Sequence, residues 1–419
     1  MHDFLLKKKA NHTSSCVFWN ILSSGLNSVV SILLLLIVTR INGTSDAGIF
    51  SLAFSTAQMM LTIGNYGMRN YQATDITEKH HFSIYAGSRV LTCFAMTLFT
   101  FLFVLVRGYQ TEKILIFMGL CLLKVTDAFD DLYGGFFQNK ERLDISGKIL
   151  FFRVTFYCII FTLVLLFTHN LLLTIGITTI CSALILIWMI FSTRRDFTLS
   201  APRFRLKSIF SLLLECLPLC LGNFLLIYIG NAPKYAIDTY LSNDMQAYYT
   251  YLFMPCFVIN LFVSFALQPI LVKLSLLWNK KDLNNYLKIV GVIYVIAFAI
   301  SLVIMAGGRF LGCQILGLVF GVDLMEYKNT LTLLLLGGGF YSLAVISQVV
   351  LTIMRCQYST LWGFGIASVI AALISPLFVQ KYQLTGAAYA YLISTILLFV
   401  ILMLFFIFYF FRTKKQMSR

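Results

Sequence analysis

The chain has 419 residues, 59% of them hydrophobic and only 12% charged, and a net charge of +15. Its mean hydropathy of +0.86 excludes a soluble domain of this size, because a soluble fold cannot hide so much apolar side chain, whereas a bilayer replaces the missing polar surface. The positive balance does not indicate nucleic-acid binding, since the basic residues sit in short clusters between apolar runs, the pattern of membrane topology.

A spanning helix needs about 20 apolar residues. The first such run is 16–39, preceded by Lys7, Lys8 and Lys9. It is longer than the apolar core of a signal peptide and has no small-x-small cleavage site, so it is expected to remain as a helix. Asn20, Ser24, Asn27, Ser28 and Ser31 form a polar stripe on it, which suits close helix packing or the lining of a cavity. Arg40 ends it. The second and third runs are 47–67 and 84–106, with Arg69 and Arg89 near their ends. The fourth, 114–136, carries Lys124, Asp127 and Asp131 at spacings that share one face, with Asp130 beside them. Ionisable groups at membrane depth are costly and need partners or water. An internal ion-pair network and a polar cavity lining both satisfy that need.

Runs at 149–168 and 171–192 complete a first set of six. A basic loop at 193–208 follows, containing Pro202. The seventh run, 209–232, holds Glu215, Pro218, Gly222, Asn223 and Gly230, with Asn231, Pro233, Lys234 and Asp238 after it. Two prolines suggest a bending element. Further runs are 246–270, 286–306, 329–354, 360–379 and 385–411, and Arg355 follows the tenth. The apolar segment 311–321 is too short to span and is expected to be a short external or interfacial helix. No strand-like alternation occurs, so the expected class is an all-α integral membrane protein with about twelve transmembrane helices.

Placing the N-terminus in the cytoplasm puts 22 of the 32 basic residues on cytoplasmic segments and 7 on the other side. That bias favours cytoplasmic location of both termini. The mid-chain loop divides the chain into an N-terminal bundle (1–192), a basic cytoplasmic linker (193–208) and a C-terminal bundle (209–419). A shift of 199 residues lays Gly48-Ile49-Phe50 on Ala247-Tyr248-Tyr249 and Tyr66-Gly67-Met68-Arg69 on Phe265-Ala266-Leu267-Gln268. Six helices per half would relate the halves by a pseudo-twofold axis along the membrane normal, with the substrate path between them.

The ten cysteines show neither zinc nor disulfide spacing, and no metal or cofactor motif is present. Gly337-Gly338-Gly339 lies in an apolar run and is a packing or hinge feature. Arginine geometry suits a diphosphate. Arg69 and Arg89 are the expected entrance residues, and Arg40 and Lys234 the expected exit residues. Lys124, Asp127, Asp131, Asn27, Asn223 and Arg355 complete the candidate cavity set. Asp127, Asp131 and Glu215 are candidates for proton or sodium coupling.

The stretch Thr39-Arg40-Ile41-Asn42-Gly43-Thr44-Ser45-Asp46-Ala47-Gly48-Ile49-Phe50 and the turn Gly64-Asn65-Tyr66-Gly67-Met68-Arg69 resemble the first helical hairpin of the polysaccharide flippases. These belong to the multidrug/oligosaccharidyl-lipid/polysaccharide exporter superfamily and include the Wzx-type O-antigen transporters. Phe136-Phe137-Gln138-Asn139-Lys140-Glu141-Arg142 and Phe265-Ala266-Leu267-Gln268-Pro269 resemble the ends of that family's fourth and eighth helices. The resemblance implies two six-helix bundles and a cationic cavity. It further implies alternating access for an undecaprenyl-diphosphate-linked oligosaccharide of the O-antigen or capsule type, in a bacterial inner membrane. Candidate partners would then be a polysaccharide polymerase and a chain-length regulator. A drug–cation antiporter of the same superfamily and a membrane-bound polymerase or glycosyltransferase are the rival expectations.

Overall fold

The computed structural model describes residues 12–75, 80–193, 196–197, 201–267 and 270–417. Lys7, Lys8, Lys9, Lys79, Arg194, Arg195, Gln268 and Pro269 therefore lie outside the described residues. Among those described there is no β-strand. The helices are α1 (His12–Asn42), α2 (Thr44–Asn65), α3 (Met68–Thr74), α4 (Phe82–Val106), α5 (Thr111–Asn139), α6 (Leu143–Thr168), α7 (Leu171–Thr193), α8 (Leu206–Tyr240), α9 (Asn243–Leu267), α10 (Leu271–Asn279), α11 (Leu283–Gly307), α12 (Cys313–Phe320), α13 (Lys328–Ile353) and α14 (Gln357–Met417). Ten helical stretches among the described residues are long and apolar enough to cross a membrane, so the protein is a multi-pass membrane protein. Helix α5 has 29 residues and spans by length, but its charges set it apart from those ten. Helix α14 has 61 residues and is interrupted at Gln383, whose φ of 49° leaves the helical region. The apolar runs 360–379 and 385–411 thus lie on either side of a left-handed residue.

The segment 311–321 holds the short helix α12. A π-turn at Gly308–Gly312 joins α11 to α12 with right-handed helical backbone throughout. The glycines do not break the helix here. They bring its face close to α13, where a Cβ at Gly312 would meet Leu331 at 2.6 Å and one at Gly308 would collide with Leu335. The short helices α3 and α10 were not expected at all. Helix α3 arises because Tyr66 and Gly67 both take left-handed backbone, φ 52° and 69°, which turns the chain sharply after α2. Gly67 also faces Leu219 of α8, 3.0 Å from where its Cβ would be.

The chain divides into two compact units, 1–224 and 225–419, and the division falls inside α8. In the first, α5 is the central helix and packs against α2, α3, α4, α6 and α7. Helix α1 lies along α6, where Gly147 admits the backbone of Trp19 at 2.7 Å from a would-be Cβ. Before α8, Phe197 packs on Phe136 and Phe137, with ring centroids 6.0 and 5.4 Å apart, and the Arg203 N–H donates to Ser83 O at 2.9 Å. In the second unit α13 is central and packs against α9, α11 and α14. Its Gly337, Gly338 and Gly339 each seat a different neighbour: Tyr391 of α14 (2.7 Å from the would-be Cβ), Cys256 of α9 (3.0 Å) and Ser301 of α11 (3.1 Å). Close packing, of the two roles the triplet suggested, is what these contacts describe.

Candidate functional site

The ionisable residues of α5 gather two linked groups within the first unit. At the inner group, Arg153 of α6 is fully buried and bridges two carboxylates. Its Nη2 is 2.8 Å from Asp127 Oδ1 and 2.9 Å from Asp130 Oδ2. Its Nε donates to Asp130 Oδ2 at 3.0 Å, and its Nη1 donates to Thr126 Oγ1 (3.2 Å) and to Ser182 Oγ of α7 (3.1 Å). Lys124 Nζ donates to Asp127 Oδ2 at 2.8 Å and sits 4.5 Å from the centre of the Phe54 ring. One guanidinium therefore ties three helices together. Burying so many charges is expensive, and only complete pairing offsets the loss of hydration. This group is spent on itself: Asp127, expected as a coupling residue, is held by two cations.

The outer group is more open. Asp131 is the hub. Its Oδ2 accepts from Arg89 Nη2 at 2.9 Å, and its Oδ1 accepts from Arg69 Nη1 at 3.4 Å. Arg89 is fully buried. Its Nη1 also donates to Gly64 O at 2.6 Å and to Asn65 Oδ1 at 3.0 Å, at the end of α2. Thr92 shares the same carbonyl at 2.8 Å. Arg69 differs: its side chain is 34% exposed, and its second bond, Nε to Gln138 Oε1, is long at 3.3 Å. It lies across Gly134 and Gly135 of α5, whose would-be Cβ atoms fall 3.3 and 3.4 Å from it. The two arginines on one carboxylate thus have different characters, one locked and one loosely held.

Arg69 and Asp131 line a cavity of about 210 Å³ together with Gln58, Asn65, Asn70 and Asn223, the last from α8. Thr62 adds a hydroxyl, and Leu61 and Gly67 supply apolar surface. The volume lies below the roughly 300–1,000 Å³ of ordinary small-molecule sites, so it suits one anionic group or one sugar ring, not a whole oligosaccharide. Across both groups Arg69, Arg89, Lys124 and Arg153 oppose Asp127, Asp130 and Asp131, which leaves one positive charge in excess, and Arg69 is the exposed cation.

The other candidates lie elsewhere. Asn27 and Arg40 are exposed on α1, and Arg40 is in its last turn. Glu215 of α8 accepts from Ser211 Oγ at 3.4 Å, and its backbone carbonyl accepts from Tyr71 Oη at 3.0 Å. In the second unit Lys234 is buried at 4% exposure, its Nζ 5.3 Å from the centre of the Phe253 ring. Arg355 is exposed and ends α13 in left-handed conformation, φ 59°. The structure therefore assembles Arg69, Arg89, Asp131 and Asn223 at one place, and Lys124 with Asp127 beside it. The candidate set did not include Arg153, Gln58, Asn65 or the glycine seat, nor Asp130, which was noted only as the neighbour of Asp127 and Asp131. An arginine alone in the apolar run of α6 was the signal for the first of these.

Residues 15–275 match the family described as polysaccharide biosynthesis protein. The capsular polysaccharide biosynthesis protein CapF of Staphylococcus aureus is 24% identical over 385 residues, covering 90% of this chain and 94% of that one. Among solved structures, an inward-facing multidrug resistance MATE family transporter of the MOP superfamily superposes with a TM-score of 0.75 at 12% identity, covering 92% of this chain and 95% of that one. The lipid II flippase MurJ in an inward closed conformation superposes with a TM-score of 0.70 at 16% identity, covering 92% and 87%. At such identities these two likenesses speak for the fold.

Proposed function

Because this chain belongs to the polysaccharide biosynthesis protein family, we propose that it is a flippase that carries a lipid-linked oligosaccharide repeat unit across the cytoplasmic membrane. The substrate is an undecaprenyl-diphosphate-linked unit of the O-antigen or capsule type, moved from the cytoplasmic to the outer leaflet by alternating access between two six-helix halves. The sugar and diphosphate cannot cross hydrocarbon unaided, whereas the polyprenyl tail can stay in lipid. Both termini are cytoplasmic in this reading, which the bias of basic residues supports. The likeness to a lipid II flippase and to a capsule biosynthesis protein is consistent with it.

The observation that carries the reading is the exposed cation at a polar cavity. Arg69 is held by two long bonds and borders amide side chains. An arriving phosphate oxygen offers it shorter, charge-assisted bonds than Asp131 does in this structure. Arg89 keeps Asp131 in place meanwhile, so the carboxylate returns Arg69 to its seat when the anion leaves. A drug–cation antiporter would need an unpaired carboxylate facing its cavity, and here Asp131 already takes two arginines. The cycle is one of binding and release, with no bond made or broken, so the protein acts as a transporter and not as an enzyme.

Deletion of the gene tests the reading. Cells should lose surface polysaccharide and accumulate single lipid-linked repeat units on the cytoplasmic leaflet, and complementation should restore export. Single units displayed on the outer surface would instead assign the defect to polymerisation. A drug-sensitive strain with normal surface polysaccharide would assign the protein to antiport.

A further inference from the structure

The same two helices that line the polar cavity present an apolar groove on their other side. Helices α2 and α8 touch where Cys220 Sγ donates to Thr62 O at 3.6 Å and Leu219 packs on Gly67. On α2, Gln58, Thr62 and Asn65 face the cavity, whereas Met60, Ile63 and Tyr66 face the groove. At about 100° per residue the helical members of the two sets, Tyr66 lying past the helix end, are roughly 160° apart. On α8, Asn223 faces the cavity and Leu217, Leu221 and Phe224 face the groove. Helix α4 supplies the third wall with Phe99, Leu102, Phe103 and Val106. The groove encloses about 640 Å³, and Arg107 is the one charged residue among its lining.

Arg107 caps the C-terminal end of α4, and its guanidinium lies 5.6 Å from the centre of the Phe103 ring. The remainder of α4 is an apolar membrane span, so Arg107 marks the boundary between hydrocarbon and water. From Phe99 to Arg107 the groove runs along about 12 Å of helix, close to the roughly 15 Å of hydrocarbon in one leaflet. A single hydrocarbon chain with an anion at one end fits both the shape and the charge.

We propose that this groove is a lipid-binding site that takes one acyl chain of an anionic phospholipid, with its phosphate against Arg107. The bound chain would back the wall whose opposite face carries the cavity of Arg69. Nothing in this inference depends on which head group that cavity receives.

Native mass spectrometry of the purified full-length protein, with phosphatidylglycerol or phosphatidylcholine added at equal mole fraction, tests it. The wild type should retain phosphatidylglycerol in preference. Arg107→Gln should cut that preference about fivefold, the factor one cation near the surface contributes toward an anionic lipid, and Arg107→Lys should restore it. Joint Leu102→Trp and Leu221→Trp substitution should fill the groove and abolish the adduct with either lipid. Should the tryptophan variant misfold, the Arg107 pair still decides. Equal phosphatidylglycerol retention by wild type and Arg107→Gln would overturn the proposal. So would an adduct that survives in a folded tryptophan variant, or displacement of phosphatidylglycerol by polyprenyl phosphate at equal mole fraction. These readouts involve no transport, so they stand or fall separately from the flippase reading.

Discussion

At the scale of single residues, the two arginines on Asp131 should respond differently to substitution. Arg69→Ala removes a half-buried, weakly held cation, so the protein should accumulate normally. Export should fall about 10- to 100-fold, the worth of one or two charge-assisted hydrogen bonds to a phosphate, read as surface polysaccharide per unit of membrane protein. Arg153→Met removes a buried cation, strands Asp130 and leaves Asp127 with Lys124 alone. It should destabilise the protein by about 3–5 kcal/mol, measured as a lowered midpoint in thermal unfolding in detergent. A variant that unfolds like the wild type would show that those carboxylates are not held by Arg153 as described. The i, i+3 and i, i+4 spacing of Lys124, Asp127 and Asp131 was legible because helix periodicity is a local property. The partners of Asp130 were not, because Arg153 and Ser182 come from other helices and no spacing along the chain encodes which helices meet.

At the scale of elements, the apolar runs predicted the long helices well because length and hydrophobicity suffice in a bilayer. What escaped was the use of glycine. Beyond the apolar run 286–306, Gly308 and Gly312 serve contact with α13 and the backbone stays helical. Helix α8, where Pro218 and Pro233 suggested a bending element, keeps helical backbone from Leu206 to Tyr240. Gly386, just beyond the left-handed Gln383, is the most demanding of these positions. A Cβ there would collide with the backbone carbonyl of Phe378 across the turn. Backbone cannot yield as a flexible side chain does, so Gly386→Ala should cost several kcal/mol, about 2–4, seen as reduced membrane yield and a lower unfolding temperature. Gly365→Ala, where no atom lies within 4 Å, is the matched control and should behave as wild type.

At the scale of the whole molecule, the all-α class and the membrane were readable from composition, but the location of the chemistry was not. Cations spread along the sequence suggested contributions from both halves, and the structure gathers an ion-pair network in the first unit around α5. The centre of the second unit, α13, carries no charged residue once past Lys328. The proposed topology can be checked by labelling single cysteines introduced into a cysteine-free protein. Positions 141, 203 and 355 should react with an impermeant maleimide only from the cytoplasmic side, and 109, 169 and 383 only from outside. Labelling of 141 and 169 from the same side would refute the assigned orientation.

The Arg153 clamp restricts how the first unit can move. A guanidinium shared by α5, α6 and α7 has nowhere to go in oil: pulling any of the three away would leave bare charge in a medium of low dielectric constant. These helices must therefore travel as one rigid body through any transport cycle. Arg89 holds the end of α2, at Gly64 and Asn65, to Asp131 of α5 in the same manner, so bending has to be absorbed away from both clamps.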